Sequence, residues 1–132
     1  MTYVIDTHIF LWLIFSPEKV VAEKLTVLKN PQHKVIITPI SFWEISLKYN
    51  LGKLVLENIT PDKLPQLAGL MDITIESIDA KCMASFHNLP VNRSHKDPFD
   101  RIIIWYCICN DYTLISQDSQ FSDYMSLGLK VL

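Results

Sequence analysis

Residues 97–110 read DPFDRIIIWYCICN, and no other part of the chain says as much about its architecture. Asp97 followed by Pro98 is typical of a helix start, because the aspartate can cap free backbone N–H groups and proline fits the first turn. Residues 102–108 are all apolar or aromatic, so we predict a helix over residues 98–110 that is buried on most sides. The β-branched run at residues 113–115 predicts a strand directly after it.

The same alternation of short strands and helices runs through the whole chain. Further β-branched runs predict strands at residues 3–5, 34–37, 73–75 and 130–132. Helices are predicted from Ser16-Pro17, over residues 39–51, from Thr60-Pro61, and over residues 79–88 with Asp79 as the cap. This alternation favours an α/β fold, a three-layer α/β/α sandwich with a central parallel sheet, as one domain over residues 1–132.

Composition excludes several classes of protein. With 132 residues, 49% of them hydrophobic and 20% charged, the chain has the balance of a globular protein. Its three glycines are too far apart for a nucleotide-binding loop, and its three cysteines lack the spacing of a disulfide framework or zinc site. We therefore expect a cytoplasmic protein, with no membrane span. The net charge of −2 argues against a general polyanion-binding surface.

Acidic residues follow the first strand and the strand at residues 113–115, where open α/β sheets bind their ligands, and others lie near the starts of two predicted helices. The candidates are Asp6, Glu44, Asp97, Asp100 and Asp118. Taken singly, Asp97 is better explained as a helix cap, Asp100 as a favourable charge in the first turn, and Asp118 as the cap of the next segment. Glu44 fits either a solvated or a partly buried helix position. Asp6 has no evident structural role, and burying it unpaired is costly, so the convergence of the set favours a site.

Carboxylates brought together must be neutralised. Two like charges about 4 Å apart cost roughly 4 kcal/mol at an effective dielectric near 20. Protons or a cation can relieve this repulsion, and a site of oxygen ligands alone selects Mg²⁺ or Mn²⁺ over zinc. Such an ion can polarise a phosphodiester and activate water, which predicts metal-dependent phosphodiester hydrolysis.

Basic residues near these acids are candidates for binding a nucleic acid backbone. Lys48 lies on the Glu44 helix, and Lys96 and Arg101 bracket the Asp97/Asp100 pair. The alternative is that such cations only offset neighbouring acids at the surface. The three tryptophans fall at positions typical of core packing.

Four segments of the chain together resemble a known family, the PIN-domain ribonucleases, and within it the VapC-type toxins of toxin–antitoxin pairs. They are residues 4–13 (VIDTHIFLWL), 41–54 (SFWEISLKYNLGKL), 95–101 (HKDPFDR) and 114–124 (LISQDSQFSDY). The resemblance implies a PIN-like sandwich with an acidic pocket that binds Mg²⁺ or Mn²⁺ and cuts RNA. It also implies a homodimer and a cognate antitoxin protein as partner.

The resemblance also implies roles for individual residues. Asp6, Glu44, Asp100 and Asp118 correspond to the four metal-binding acids, in that order, and Asp97 to a further ligand or a neighbour of the ligands. Departures are mild: Lys96 stands where arginine is common, and Ser116 where threonine is common. We still predict that Lys96 and Ser116 bind the substrate.

Two other interpretations stay open at this point. A receiver-like phosphoacceptor domain has this length, a parallel sheet and acids that bind Mg²⁺. It needs an acid pair after the first strand and an aspartate ending a central one, whereas Asp6 stands alone and residues 34–37 run into Thr38-Pro39. A non-catalytic interaction module with the same fold is the third interpretation, and the presence of all four acids counts against it.

Overall fold

The computed structural model describes residues 1–132 and contains one sheet of five parallel strands. These are β1 (Thr2–Ile5), β2 (Lys34–Ile37), β3 (Thr74–Ile75), β4 (Thr113–Ile115) and β5 (Lys130–Val131). Their order across the sheet is β3-β2-β1-β4-β5, so the first strand is also the central one. Every neighbouring pair is parallel, as predicted.

Six α-helices connect and cover the strands. They are α1 (Thr7–Phe15), α2 (Ala22–Lys29), α3 (Pro39–Asn50), α4 (Leu64–Leu70), α5 (Ala80–Ala84) and α6 (Pro98–Asn110). Short 3₁₀ segments lie at Pro17–Lys19, Pro61–Lys63, Ser85–Asn88 and Ser119–Leu127. No helix is both long and apolar enough to cross a membrane.

Successive side chains of the three middle strands, β2, β1 and β4, enter two separate hydrophobic cores. On β1, Tyr3 and Ile5 pack on one face with Phe10 of α1, whereas Val4 packs on the other face with Ile104 of α6. This alternation follows from the strand's two-residue period, with helices covering both faces. The predicted three-layer α/β/α sandwich is therefore confirmed.

Helix α6 has the predicted bounds and the predicted environment. The Asp97 carboxylate accepts a hydrogen bond from the backbone N–H of Phe99 at 2.9 Å, which caps the first turn. Ile103 and Ile104 are fully buried, and each such side chain contributes about 1.5–3 kcal/mol to folding. Asp111 ends the helix in the left-handed conformation at φ 55°.

Three local features differ from the predictions. Helix α1 was not predicted, because residues 9–15 form a continuous apolar run without helical periodicity. The helices predicted from Pro17 and Pro61 begin as 3₁₀ turns, and α2 and α4 start later, at Ala22 and Leu64. Trp43 was expected in the core but is 60% exposed, since the neighbouring Glu44 and Ile45 take the inward face of α3.

The strand order creates a crevice at one edge of the sheet. From β1 the chain builds β2 and β3 on one side and later β4 and β5 on the other. The connections after β1 and β4 therefore diverge, and such a switch point is where α/β sheets bind ligands. Asp6 follows β1 and Ser116 follows β4, so these two residues form the floor of the switch-point crevice.

Candidate active site

Asp6 lies at the switch point and has a structural task as well. Its side chain is 2% exposed, and its Oδ1 accepts a hydrogen bond from the backbone N–H of Ile9 at 2.8 Å, which caps α1. The expectation that Asp6 has no structural role was therefore wrong. Burial raises the pKa of Asp6 although the hydrogen bonds from Ile9 and Ser116 lower it, and the Asp118 charge raises it further.

Glu44 is the most completely enclosed of the predicted acids, with 1% of its surface exposed on α3. The Thr7 hydroxyl donates to its Oε1 at 2.7 Å, and Lys48 Nζ contacts its Oε2 at 2.5 Å. The Thr7 hydroxyl has a single proton, so its 2.9 Å contact with Ser41 has Ser41 as the donor. Both carboxylate oxygens of Glu44 therefore have a fixed partner.

Lys48 is the cation nearest to the predicted acids. Burial lowers the pKa of Lys48, but the hydrogen bond to Glu44 and the charges of nearby carboxylates, including Asp97 and Asp100, raise it to a value above normal. Its ammonium is therefore held in the charged form by the acids around it.

Asp100 projects from the first turn of α6 and is largely buried. Its Oδ2 lies 3.2 Å from Nε2 of His95. Burial raises the pKa of Asp100 to about 6; the hydrogen bond with His95 opposes this shift, and nearby carboxylates, among them Glu44 and Asp6, add to it. Asp100, Glu44 and Asp6 therefore lie close enough for their charges to interact.

Asp118 is exposed and completes the group from the β4 side. Its carboxylate accepts from the backbone N–H of Gln120 at 2.9 Å and so caps the 3₁₀ segment Ser119–Leu127. A ligand atom of Asp118 lies within 4.8 Å of those of Asp100 and His95. The structure therefore brings together Asp6, Glu44, Asp100 and Asp118, which we call the acid cluster. Asp97 borders it as the cap of α6.

His95 belongs to this site although it was not among the predicted site residues. It is 3% exposed, and its Nδ1 lies 2.9 Å from the Tyr124 hydroxyl while its Nε2 faces Asp100. The available signal was its position in the HKDPFDR segment, two residues before Asp97.

The predicted substrate-binding residues fall into two groups. Lys48 pairs with Glu44 and keeps exposed surface, and Lys96 is exposed and adjoins Asp97 in the chain. Arg101 is only 8% exposed, and its guanidinium donates to the Tyr124 hydroxyl and to the Pro90 carbonyl oxygen, both at 3.0 Å. Ser116 is buried, and its hydroxyl accepts from the backbone N–H of Asp118 at 3.1 Å. Interior partners therefore occupy Arg101 and Ser116, and neither has structural support as a substrate contact.

The family of the chain follows from comparison with known proteins. A model of the PIN domain matches residues 3–126, almost the full length of the chain. The chain belongs to the PIN domain family. The receiver-like interpretation is thereby excluded, in agreement with the absence of an acid at the end of β2. No curated protein matches this PIN domain.

Solved structures share the fold over the full chain. VapBC2 from Rickettsia felis, bound to a promoter DNA fragment, has a TM-score of 0.68 at 19% identity, covering 100% of this chain and 98% of that one. VapBC-1 from nontypeable Haemophilus influenzae has a TM-score of 0.66 at 15% identity, with 100% and 97% covered. A toxin–antitoxin complex from Klebsiella pneumoniae has a TM-score of 0.61 at 18% identity, with 98% and 95% covered. At these identities the likeness shows a common fold.

The acid cluster of this PIN domain fits a hard divalent cation. Its donors are carboxylate oxygens, the ligands that Mg²⁺ and Mn²⁺ prefer. Burial and mutual repulsion raise the pKa of both Asp6 and Asp100, which is the electrostatic cost that a bound cation removes. Lys48 neutralises only part of this charge, so the cluster could hold a metal ion.

A groove of about 470 Å³ opens beside Glu44. Three lysines, Lys19, Lys48 and Lys53, outnumber its two acids, Glu44 and Glu57, and Trp12 forms part of its apolar wall. We call it the basic groove. It places positive charge next to the negative acid cluster, the arrangement needed to hold a polyanion beside a metal site.

Proposed function

We propose that this PIN domain is a metal-dependent endoribonuclease, the VapC-type toxin of a cytoplasmic toxin–antitoxin pair. The observation that carries the proposal is the meeting of Asp6, Glu44, Asp100 and Asp118 at the switch-point crevice. Each of the four acids also contacts a structural partner, through a helix cap, an ion pair or a hydrogen bond. Such local roles do not explain why four carboxylates lie in one place. Their repulsion favours a site that works with a cation.

The proposed cofactor is Mg²⁺ or Mn²⁺, held by the acid cluster, with Asp97 adding negative charge at the border. When bound, the ion would polarise the phosphodiester and lower the pKa of water for the attack. The chain's own part is to hold the carboxylates in place. Thr7 and Lys48 fix Glu44, the Ile9 N–H fixes Asp6, and His95 contacts Asp100.

RNA is the proposed substrate, and the basic groove offers a path for its backbone. Lys48 and Lys53 line the groove, and the exposed Lys96 adds a further cation near the acids. Such contacts hold phosphates without reading bases, so they position a strand beside the cluster. A chain with a net charge of −2 binds a polyanion only where its cations are concentrated in this way.

Cleavage of a labelled RNA by the purified protein tests the proposal. We expect hydrolysis with Mg²⁺ or Mn²⁺, none with EDTA, and none from Asp100→Asn or Asp6→Asn. Full cleavage by both variants would refute the assignment of the acids. A folded wild-type protein that cuts no RNA with either metal would support the non-catalytic interaction module instead.

The proposed protein partner is a cognate antitoxin. The similar structure from Klebsiella pneumoniae is a toxin–antitoxin complex, and the basic groove lies where a bound segment would cover Glu44 and Lys48. Such a segment and an RNA strand would compete for the same surface. Co-expression with the protein of the adjacent gene should then give a stable complex that does not cleave RNA.

A homodimer is the proposed assembly, through an exposed apolar patch. The patch consists of Ile40, Trp43, Met83, Phe86, Phe99 and Ile102. Trp43 and Phe99 form its centre, with an edge-to-face contact and ring centroids 5.2 Å apart. No charged side chain lines it, so it offers nothing to a phosphate, whereas a second copy presents the same apolar surface in a two-fold arrangement.

A further inference from the structure

His95 is enclosed between the acid cluster and the core. One ring nitrogen, Nδ1, lies 2.9 Å from the Tyr124 hydroxyl, and the other, Nε2, lies 3.2 Å from Asp100 Oδ2. The ring also packs against the aromatic rings of Phe121 and Tyr124, with each pair of centroids 5.5 Å apart. Both polar atoms of the imidazole are therefore engaged, and the ring has little freedom to turn.

The partners of Tyr124 favour one direction for each hydrogen bond. Arg101 has only N–H donors, so its 3.0 Å contact makes the Tyr124 oxygen an acceptor. The other partner of this hydroxyl is Nδ1 of His95, and we assign the Tyr124 proton to that contact. With Nδ1 as acceptor, the His95 ring proton sits on Nε2 and is donated to Asp100 Oδ2.

Arg101 is itself fixed at the start of this series. Its second nitrogen donates to the Pro90 carbonyl oxygen at 3.0 Å, and its guanidinium lies 5.5 Å from the centre of the Phe86 ring. The loop that contains Pro90 and the segment that carries Tyr124 are thus joined to α6 through one buried cation. A continuous series of contacts therefore runs from Arg101 through Tyr124 and His95. It ends at Oδ2 of Asp100 in the acid cluster.

We propose that His95 is a positioning residue that holds the Asp100 carboxylate with Oδ2 occupied and Oδ1 left for a cation. This inference rests on the metal site of the proposed function. His95, Asp100 and Asp118 have ligand atoms within 4.8 Å of one another, a grouping that by itself would suggest His95 as a metal ligand. Ligation through Nε2, however, would break the bond to Asp100. The hydrogen-bonded arrangement keeps the ligands all oxygen, which favours Mg²⁺ and Mn²⁺ over zinc.

Mn²⁺ titration followed by electron paramagnetic resonance tests this proposal. Removing a hydrogen-bond partner of a metal ligand weakens metal binding by about 10- to 100-fold, so we expect that loss in His95→Ala. His95→Gln restores an N–H donor near Asp100 and should recover part of the affinity. Tyr124→Phe keeps the packing but removes the hydroxyl that orients His95, and should fall between His95→Ala and wild type.

Tyr106→Phe is the matched control. It also removes one buried hydroxyl, but that hydroxyl donates to Glu76, away from the acid cluster. We expect its Mn²⁺ affinity and its RNA cleavage to equal those of the wild type. If His95→Ala fails to fold, as judged by its melting curve in EDTA, His95→Gln and Tyr124→Phe against this control decide the matter.

Two results would overturn the inference while leaving the proposed function intact. One is unchanged Mn²⁺ affinity and cleavage rate in His95→Ala and Tyr124→Phe. The other is a ¹⁴N coupling to bound Mn²⁺ in the wild type that disappears in His95→Gln, which would make His95 a direct ligand. A wild type that binds no Mn²⁺ would remove the metal site and the inference together, whereas Mn²⁺ binding without RNA cleavage would count against the proposed function alone.

Discussion

Asp6 Oδ1 lies 2.8 Å from the backbone nitrogen of Ile9, so one carboxylate belongs to the acid cluster and also caps a helix. Asp6→Asn keeps an oxygen acceptor for the cap and removes the charge. We expect it to lose RNA cleavage and, in EDTA, to melt at the same temperature as the wild type or higher. Asp6→Ala should also lose cleavage but forfeits the cap, which costs about 1 kcal/mol. A lower melting temperature for Asp6→Asn than for Asp6→Ala would contradict this account.

Asp100 makes the stability of the metal-free protein depend on pH. Its pKa rises from 3.8 to about 6 on folding, chiefly through burial. A pKa that is higher in the folded chain favours folding while the group is protonated. This contribution is therefore complete below about pH 4 and is lost as the pH rises through about 6. The shift corresponds to about 3 kcal/mol.

Urea unfolding of wild type and Asp100→Asn in EDTA checks the size and sign of this effect. At pH 7 the variant should be the more stable protein, and the difference should shrink toward zero near pH 4. Groups that do not interact with Asp100 cancel in the difference, whereas the neighbouring carboxylates Asp6, Glu44 and Asp97 add to it because they interact with the Asp100 charge. A difference that stays constant between pH 4 and pH 7 would show that Asp100 is not responsible.

Lys48→Met leaves Glu44 buried without its cation. Because Lys48 is itself partly exposed, the loss in EDTA should be about 1–2 kcal/mol, less than for a fully buried pair. Mn²⁺ should restore part of it by supplying positive charge. Lys53→Met is the control, since Lys53 also lines the basic groove but pairs with no acid, and surface changes of this kind stay within about 0.5 kcal/mol. Equal losses in the two variants would contradict the role of the ion pair.

Mn²⁺ should stabilise the wild-type fold in proportion to its occupancy of the acid cluster. At 100 times the dissociation constant the gain is about 2.7 kcal/mol, visible as a rise in melting temperature that EDTA reverses. Asp100→Asn should show a much smaller rise. An unchanged melting curve of the wild type at millimolar Mn²⁺ would speak against metal binding at this site.

Trp43→Glu places a charge at the centre of the apolar patch. We expect the wild type to have the mass of a dimer in light scattering and the variant that of a monomer, because the charge would be buried unpaired in the interface. Val91→Glu is the control, since Val91 is almost fully exposed and lies outside the patch. A monomeric wild type, or a dimeric Trp43→Glu, would rule out this interface.

The sequence was most informative where local and long-range forces agree. Helix α6 has its predicted bounds because Asp97, Pro98 and an apolar body all favour the same element. Helix α1 was missed because its apolar residues are continuous, and a buried helix then has the same pattern as a buried strand. Asp6 and Asp118 were predicted from their positions after strands, since parallel strands bring their carboxyl ends to one edge, and Glu44 and Asp100 from their positions near the starts of helices.

Side-chain partners were less predictable because they depend on packing between distant segments. Arg101 was expected at the substrate, yet Tyr124, 23 residues away, holds it in the interior. The burial of two other residues was not predicted either. His95 is enclosed in the structure, whereas Trp43, which was expected in the core, is exposed. Which face a residue takes is decided by the neighbouring helices, and a single sequence does not specify their placement.

The central position of β1 has a consequence for a chain that is still being made. A polypeptide emerging from the ribosome carries Asp6, Glu44 and Asp100 before Thr113–Ile115 has been synthesised. Until that strand pairs with β1, the crevice has only one wall and Asp118 is absent from it. The acid cluster is therefore complete only after β4 and the segment that carries Asp118 have been made, and we expect no RNA cleavage from a chain that lacks them.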